Sequence, residues 1–379
     1  MGQNKKDLIK SAKAFEFYVS KIWPLHRLFV KSKLSTRCVN CAASEHMITL
    51  NDKQVCELCE HTQVGQSVED IDTSADLAVF NELLSNTQGE GAYDVLVPYS
   101  GGKDSSYLIH RIQKEFPSIR ILAFTVDNGF MSPVAKENVE TLLLKLNVNH
   151  LFITPAPDFY KKLFRYGITH LNDEGGYGTV DFSDGEFILD TARNIATEKK
   201  IPLILCGYSK YQVINGLKIK TFEYPKSLEN KDRQYVAGMP LSAFHDEHER
   251  AQWWQGNRHQ TKAQPRLLFP LYCWDLEEEE ILASVKKQGL VCESISPIVT
   301  NHLFIPVLGV VDVHKFGYSS YEPEFCRMIR DGKAEHIHWR NTFEFLEYTS
   351  RNGLFVGTLC TEMLAQVDLT LSDVGVEFS

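Results

Sequence analysis

The chain has 379 residues, 43% of them hydrophobic, which is enough apolar side chain for a real core and excludes wholesale disorder. Its formal charge is −9, from 40 Lys and Arg against 49 Asp and Glu, so no global basic field exists to gather nucleic acid. No run of about 18 apolar residues occurs, and no membrane span is expected.

Residues 5–30 place Leu8, Ile9, Ala12, Phe15, Phe17, Tyr18, Ile22 and Trp23 at helical spacing. They predict a helix packed on the body of the protein, with a partner-binding or membrane-surface helix as the other reading. The same stretch is charged throughout and does not read as a secretory signal. Lys6 stands where a myristoylation pattern needs Ser or Thr.

Cys38-x-x-Cys41 and Cys56-x-x-Cys59 follow, fourteen residues apart. Each pair can grip one side of a tetrahedral ion, and four thiolates leave no open position. The expected centre is a structural zinc knuckle, with an iron–sulfur cluster or metal-free thiols as alternatives. The other five cysteines, Cys206, Cys273, Cys292, Cys326 and Cys360, are scattered. This is a reduced pattern and predicts a cytoplasmic protein. Residues 65–90 are a polar, acidic connection around one helix, Ala75 to Leu84.

From Tyr93 the character changes. Residues 93–100 (YDVLVPYS) are an apolar run suited to a buried parallel strand, followed by a Gly-Gly turn and a helix over 105–115. Strand 121–129, helix 133–146, strand 150–155, helix 186–199 and strand 201–209 come next. This alternation predicts an α/β fold with a doubly wound parallel sheet, ligands sitting beyond the carboxyl ends of its strands. Residues 210–265 are polar and rich in Trp, His and Gln, and suit an ordered loop or lid. Helices over 276–288, 322–330 and 340–352 predict a mainly helical C-terminal part. His245, His248 and His259 lie near one another and His336 is close to His338, but neither group has metal-ligand spacing with a matching partner.

The sharpest motif is Ser100-Gly101-Gly102-Lys103-Asp104-Ser105, between the first strand and its helix. Two glycines let the backbone turn tightly and approach an anion. Successive N–H groups and the helix N-terminus then favour a phosphate. Ser100 and Ser105 offer hydroxyls, Lys103 a point charge, and Asp104 a magnesium ligand or a helix cap. The spacing is neither that of a Walker loop nor that of a dinucleotide fingerprint.

In this context the segment resembles the pyrophosphatase loop of the PP-loop (N-type) ATP pyrophosphatases, which have a HUP-like, adenine nucleotide alpha hydrolase-like fold. The resemblance implies magnesium-ATP as cofactor, cleaved to AMP and pyrophosphate. It implies that backbone of residues 124–126, including Thr125 and Val126, meets the adenine edge, with Asp127 near the ribose or the metal. A plain turn cap is the other reading of Asp127. Gly207, at the end of the later strand, joins the expected nucleotide-binding residues. The Arg266–Trp274 segment with its acidic continuation also recurs in style, although helix N-terminal electrostatics explains the acids alone.

The cysteine pairs ahead of the loop, with Lys315-Phe316-Gly317-Tyr318 and Ile329-Arg330-Asp331-Gly332-Lys333 behind it, resemble the N-acetyl sugar amidotransferases of surface-polysaccharide biosynthesis. That resemblance implies an acceptor sugar nucleotide, adenylated and then attacked by ammonia from a separate glutaminase subunit. The chain departs from the family in reading Cys206-Gly207-Tyr208-Ser209 where a Gly-Glu-Asn-Ser stretch is usual, and in its extra N-terminal helix. Lys103, Asp104 and Cys206 are the catalytic candidates. Two alternatives stand beside amidation: a sulfurtransferase using Cys206 or Cys273 on a small molecule or tRNA, and a non-catalytic ATP-binding module. Nucleic acid is otherwise not expected, and a homodimer is left open. The expected segments are 1–37 (helical extension), 38–64 (knuckle), 90–265 (pyrophosphatase domain) and 266–379 (helical region).

Overall fold

Short apolar runs bounded by turns form the inner strands of the sheet, because strands buried on both faces need no polar alternation. The computed structural model describes residues 5–61, 72–225, 231–256, 264–274, 276–291 and 302–378. Its strands are β1 (Val95–Pro98), β2 (Ile121–Val126), β3 (Asn149–Ile153), β4 (Leu203–Leu205), β5 (Tyr235–Val236), β6 (Met239–Pro240) and β7 (Arg266–Leu268). β5 and β6 pair with each other, antiparallel. The other five form one parallel sheet in the order β3-β2-β1-β4-β7. The chain runs outward from β1 to β3, then returns to the other side of β1. That reversal makes the sheet doubly wound and puts its switch point between β1 and β4.

Helices α1 (Lys5–Phe17), α2 (Trp23–Val30), α3 (Glu57–Glu60) and α4 (Ser74–Asn86) precede the sheet. Helices α5 (Lys103–Glu115), α6 (Pro133–Leu146), α7 (Pro157–Thr169) and α8 (Phe182–Lys199) alternate with its strands. After them come α9 (Glu247–Arg250), α10 (Pro270–Trp274), α11 (Glu278–Lys287), α12 (Ile305–Phe316), α13 (Glu322–Arg330), α14 (His336–Asn352) and α15 (Gly357–Gln366). Both α5 and α8 pack on β1. Right-handed crossovers on either side of the reversal put them on opposite faces of the sheet. No helix among the described residues is long and apolar enough to cross a membrane.

The chain divides into two compact units. Unit 1 is Met1–Ile71, Phe164–Asp181 and Ser296–Ser379; unit 2 is Asp72–Leu163 and Phe182–Ile295. Unit 2 holds the sheet. Unit 1 is helical and carries the four cysteines. Its N-terminal helices, joined by a π-helical turn over Tyr18–Ile22, lie on α14 through Phe15, Val19 and Trp23 against Phe345. Arg37, just before the first cysteine, is buried between α13 and α14. Its guanidinium meets Glu322 at 2.6 Å and Glu347 at 3.1 Å, so its charge is compensated by two buried carboxylates.

Several elements differ from the sequence expectation. The segment boundary expected at 265/266 falls immediately before β7, which the sheet keeps through its pairing with β4. Three residues are too few to show a period, so nothing in the sequence marks β7 as a strand. Helix α12 (IPVLGVVDVHKF) is apolar nearly all round and β-branched, and it lacks the polar stripe that betrays a surface helix. Helix α8 starts four residues before the expected 186, and α5 starts at Lys103 rather than 105. His259 and Cys292 lie outside the described residues.

Candidate nucleotide site and four-cysteine centre

The loop after β1 is shaped by close backbone contacts. Gly101 has φ +76°, and a Cβ there would lie 2.3 Å from the Ala135 carbonyl oxygen in α6. No other residue type fits both the conformation and the space. Its own carbonyl accepts from Asn138 Nδ2 at 2.8 Å, which pins the loop to α6. The Gly102 N–H donates to Ser100 Oγ at 3.3 Å. Gly102, in extended conformation, is the N-cap of α5. Asp104 is therefore not the cap; it sits in the first turn, where the helix dipole favours a carboxylate.

Gly207 closes the other side of the crevice. A Cβ there would lie 3.0 Å from both the Cα and the backbone nitrogen of Ser105. The ends of β1 and β4 thus meet around the amides that open α5, at the switch point. Ser105 itself is buried, its hydroxyl 3.4 Å from that of Ser100.

Lys103 Nζ contacts Asp104 Oδ2 at 2.8 Å and Glu278 Oε1, at the start of α11, at 3.5 Å. Burial pulls its pKa down, but the two carboxylates outweigh that and raise it, so the ammonium is firmly charged. Glu278 belongs to the acidic run that helix electrostatics explained on its own. Only the fold shows that one of those acids reaches the loop lysine.

β2 outruns β1. Its last pair with β1 is Pro98↔Phe124, whereas it pairs with β3 as far as Val126↔Ile153. The Thr125–Val126 edge on the β1 side therefore lies beyond the last bridge, level with the start of the glycine loop. The Thr125 side chain is spent inside the sheet, where it donates to the Tyr99 carbonyl at 2.6 Å and bonds His150 at 2.8 Å. Asp127 accepts from the Gly129 N–H at 3.0 Å and pairs with Lys136 at 2.7 Å. These contacts fit its turn-capping reading. Next to it, Asn128 Nδ2 donates to Asp184 Oδ2 at 2.9 Å. Asp184 is buried at the start of α8, and burial raises its carboxyl from 3.8 to about 6, against the pull of hydrogen bonds from Tyr160 and Asn128.

Cys206 and Cys273 are both buried. Burial pushes the Cys206 thiol up to about 12, with Arg193 opposing and Glu186 adding to the shift. Burial, with Asp76 adding, brings Cys273 to about 12 as well. A reactive thiol is favoured by a lowered pKa and by exposure, whereas both of these are buried and raised.

A buried ion cluster that sequence alone did not reveal neighbours Cys206. Asp190, with no exposed surface, takes Arg233 in a two-pronged contact at 2.9 and 2.8 Å, Arg193 at 2.7 Å and the Trp254 N–H at 3.0 Å. Arg233 also reaches Glu186 at 2.6 Å, and the Arg193 guanidinium lies 4.6 Å over the Tyr224 ring. Removing one member of such a cluster typically costs about 3–5 kcal/mol, because the others are left charged and buried. Glu186, Asp190 and Arg193 share one face of α8 at helical spacing, whereas Arg233 comes from the polar segment 210–265, too far along the chain to be paired with them by spacing. His245, in the same segment, is buried and stacked on Phe159 at 4.2 Å; burial lowers it to about 4, against the pull of Glu249.

In unit 1, Cys38, Cys41, Cys56 and Cys59 are all buried, with their sulfurs within 4.8 Å of one another. They form the only cluster of possible metal ligands among the described residues. The Cys41 and Cys56 sulfurs are 3.7 Å apart. A tetrahedral ion with metal–sulfur bonds of about 2.3 Å needs sulfurs about 3.8 Å apart, so the spacing fits one ion. A multi-iron cluster would have to hold the thiolates farther apart. The first pair sits on a tight turn. The Cys38 N–H donates to the Ala43 carbonyl at 2.8 Å, and Ala42 takes the left-handed conformation (φ 63°). Arg330 Nη1 donates to Cys41 Sγ at 3.4 Å and offsets thiolate charge.

No family model matches the sequence, and no curated protein matches it. Among solved structures the chain is similar to the U34-tRNA thiolase NcsA of Methanococcus maripaludis with its [4Fe-4S] cluster. That match has 12% identity over 91% of this chain and 100% of that one, with a TM-score of 0.34. It is similar to NMN synthetase from Francisella tularensis, at 13% identity over 73% of this chain and 92% of that one, TM-score 0.37. It is also similar to the NH3-dependent NAD synthetase of Campylobacter jejuni, at 14% identity over 73% and 94% of the two chains, TM-score 0.35. At TM-scores this low the likenesses carry no argument about function, and the reading of the site rests on its own residues.

Proposed function

We propose that unit 2, which holds the sheet and the glycine loop, is an ATP pyrophosphatase-type ligase that activates an acceptor by adenylation. ATP binds with its β- and γ-phosphates on the 100–105 loop and its adenine along the Thr125–Val126 edge. An acceptor amide or carbonyl oxygen attacks the α-phosphorus. A new P–O bond forms, the bond to the β-phosphate bridging oxygen breaks, and pyrophosphate leaves. Ammonia then attacks the activated carbon, AMP departs with the acceptor oxygen, and the surplus proton passes to solvent.

The observation that carries this reading is the pair of glycines, Gly101 and Gly207, each pressed against backbone on either side of the α5 N-terminus. That packing leaves N–H groups, a helix dipole and Lys103 converging on one spot at the switch point. Fixed donors of this kind are the main lever for stabilising a departing anion. Lys103 would exchange its contacts with Asp104 and Glu278 for phosphate oxygens. Magnesium, when bound, offsets phosphate charge, and Asp104 is the carboxylate best situated to hold it.

The acceptor we propose, on the resemblance described above, is an N-acetyl sugar nucleotide, with a glutaminase subunit as the ammonia source. For the four-cysteine centre we propose zinc, since a closed set of four thiolates is its usual structural site. The raised, buried thiols of Cys206 and Cys273 weigh against sulfur transfer. The test is an assay of AMP and pyrophosphate over a panel of acceptors, with ammonium or sulfide as donor. The reading expects both products in equal amounts with ammonium and a sugar nucleotide. Turnover with sulfide alone, lost in Cys206→Ala, would move the assignment to sulfur transfer. ADP and phosphate as products would end it.

A further inference from the structure

Residues 10–33 present an unusual outer face. Inward, Phe15, Val19, Trp23 and Val30 close on Phe345 in the ordinary way. Outward, the helix is not polar. Phe17 is 59% exposed, Ile22 39%, Leu25 68%, Leu28 64% and Phe29 85%. Phe355 extends this apolar surface. It stands 61% exposed after α14, at φ 65°, with its ring 5.8 Å from that of Tyr18. A bulky residue held in the left-handed region with its ring in water is unfavourable unless something covers it.

The charges on this face have one sign. Of the fourteen exposed residues between 10 and 33, five are the apolar residues just named, five are lysines (Lys10, Lys13, Lys21, Lys31 and Lys33), and none is acidic. Yet the whole chain carries nine more acidic than basic residues. The helix therefore concentrates positive charge and exposed apolar side chains together on one surface of unit 1.

We infer that this face docks on an anionic lipid surface. The helix lies in the plane of the interface, with Leu25, Leu28 and Phe29 reaching the acyl boundary and the lysines at headgroup phosphates. Two alternatives fit less well. Protein interfaces are depleted in lysine and enriched in Arg, Tyr and Trp, whereas the exposed residues of this face include five lysines and none of those three. A two-fold contact between copies would bring the same lysines against one another.

Co-sedimentation of the full chain with vesicles tests the inference. Vesicles of phosphatidylcholine mixed with phosphatidylglycerol should bind it, and pure phosphatidylcholine should bind it at least about tenfold more weakly. Added salt should weaken binding to the mixed vesicles, since the Debye length falls to about 3 Å at 1 M. The double variant Leu25→Ser, Phe29→Ser should lose at least about tenfold in affinity. A triple variant, Lys10→Gln, Lys13→Gln, Lys21→Gln, should lose binding chiefly at low salt. All these side chains are exposed, so far-UV circular dichroism and melting temperature should stay at the wild-type values. Failure of the wild type to sediment with mixed vesicles at low salt would overturn the proposal. So would undiminished binding by the folded double variant, or capture of an acidic soluble protein by this face without vesicle binding.

Discussion

The four-cysteine centre and the glycine loop are both built from a few residues at fixed spacing, yet they differ in what holds them together. The centre is closed: four buried sulfurs face one another, and the residue beside them, Arg37, is tied by buried ion pairs to α13 and α14. Without a cation the neighbouring Cys41, together with burial, pushes the Cys38 thiol up to about 12. The loop is open. Its shape is fixed by backbone packing against α6 and the end of β4, and its lysine is held by carboxylates it can exchange. The contrast is between a closed set of sulfurs tied into the body of unit 1 and an open loop whose charged side chain can change partners, which is what the proposed roles, support of the fold and binding of a ligand, require of them.

Three experiments bear on that contrast. The largest effect belongs to the centre. Cys59→Ser, or a strong chelator under reducing conditions, should unfold much of unit 1, because binding of such an ion is worth about 10–16 kcal/mol. Loss of helical signal in circular dichroism, with one metal equivalent released, is the expected record. Full helicity in a metal-free sample would make the centre dispensable.

The next concerns the loop. Lys103→Ala should lower pyrophosphate release by about 10²–10³-fold while leaving the melting temperature nearly unchanged. A comparable loss of stability would mean that Lys103 serves the fold.

The smallest effect is Asp184→Asn. The folded protein raises this carboxyl from 3.8 to about 6, so folding disfavours its ionised form. That penalty is absent below pH 3.8, grows between 3.8 and about 6, and is complete above. Asn keeps an acceptor for Asn128 and carries no charge. The variant should gain up to about 2–3 kcal/mol at pH 7 and nothing at pH 3.5, read from urea unfolding at the two values. Equal shifts at both would remove the carboxyl as the cause.

Much of this was legible in the sequence, for a specific reason. The glycine loop and the cysteine pairs are local: spacing alone encodes a tight turn or a tetrahedral grip. The strand–helix alternation encoded the doubly wound sheet and placed Cys206 at the end of β4. What remained hidden depends on residues distant in the chain. Glu278 meets Lys103 across 175 positions, as their numbers give. Asp190 gathers Arg233 and the Trp254 amide only once α8 and the 210–265 segment are packed. The state of Cys206 depends on burial, which its position at the end of a strand did not reveal.

Isotope exchange between labelled pyrophosphate and ATP tests adenylation most directly, because it reports the reversible first step with no donor present. With a matching acceptor and no ammonium, the account predicts label entering ATP in the wild type, greatly diminished in Lys103→Ala. Absence of exchange with every acceptor, from folded protein supplied with magnesium, would contradict it.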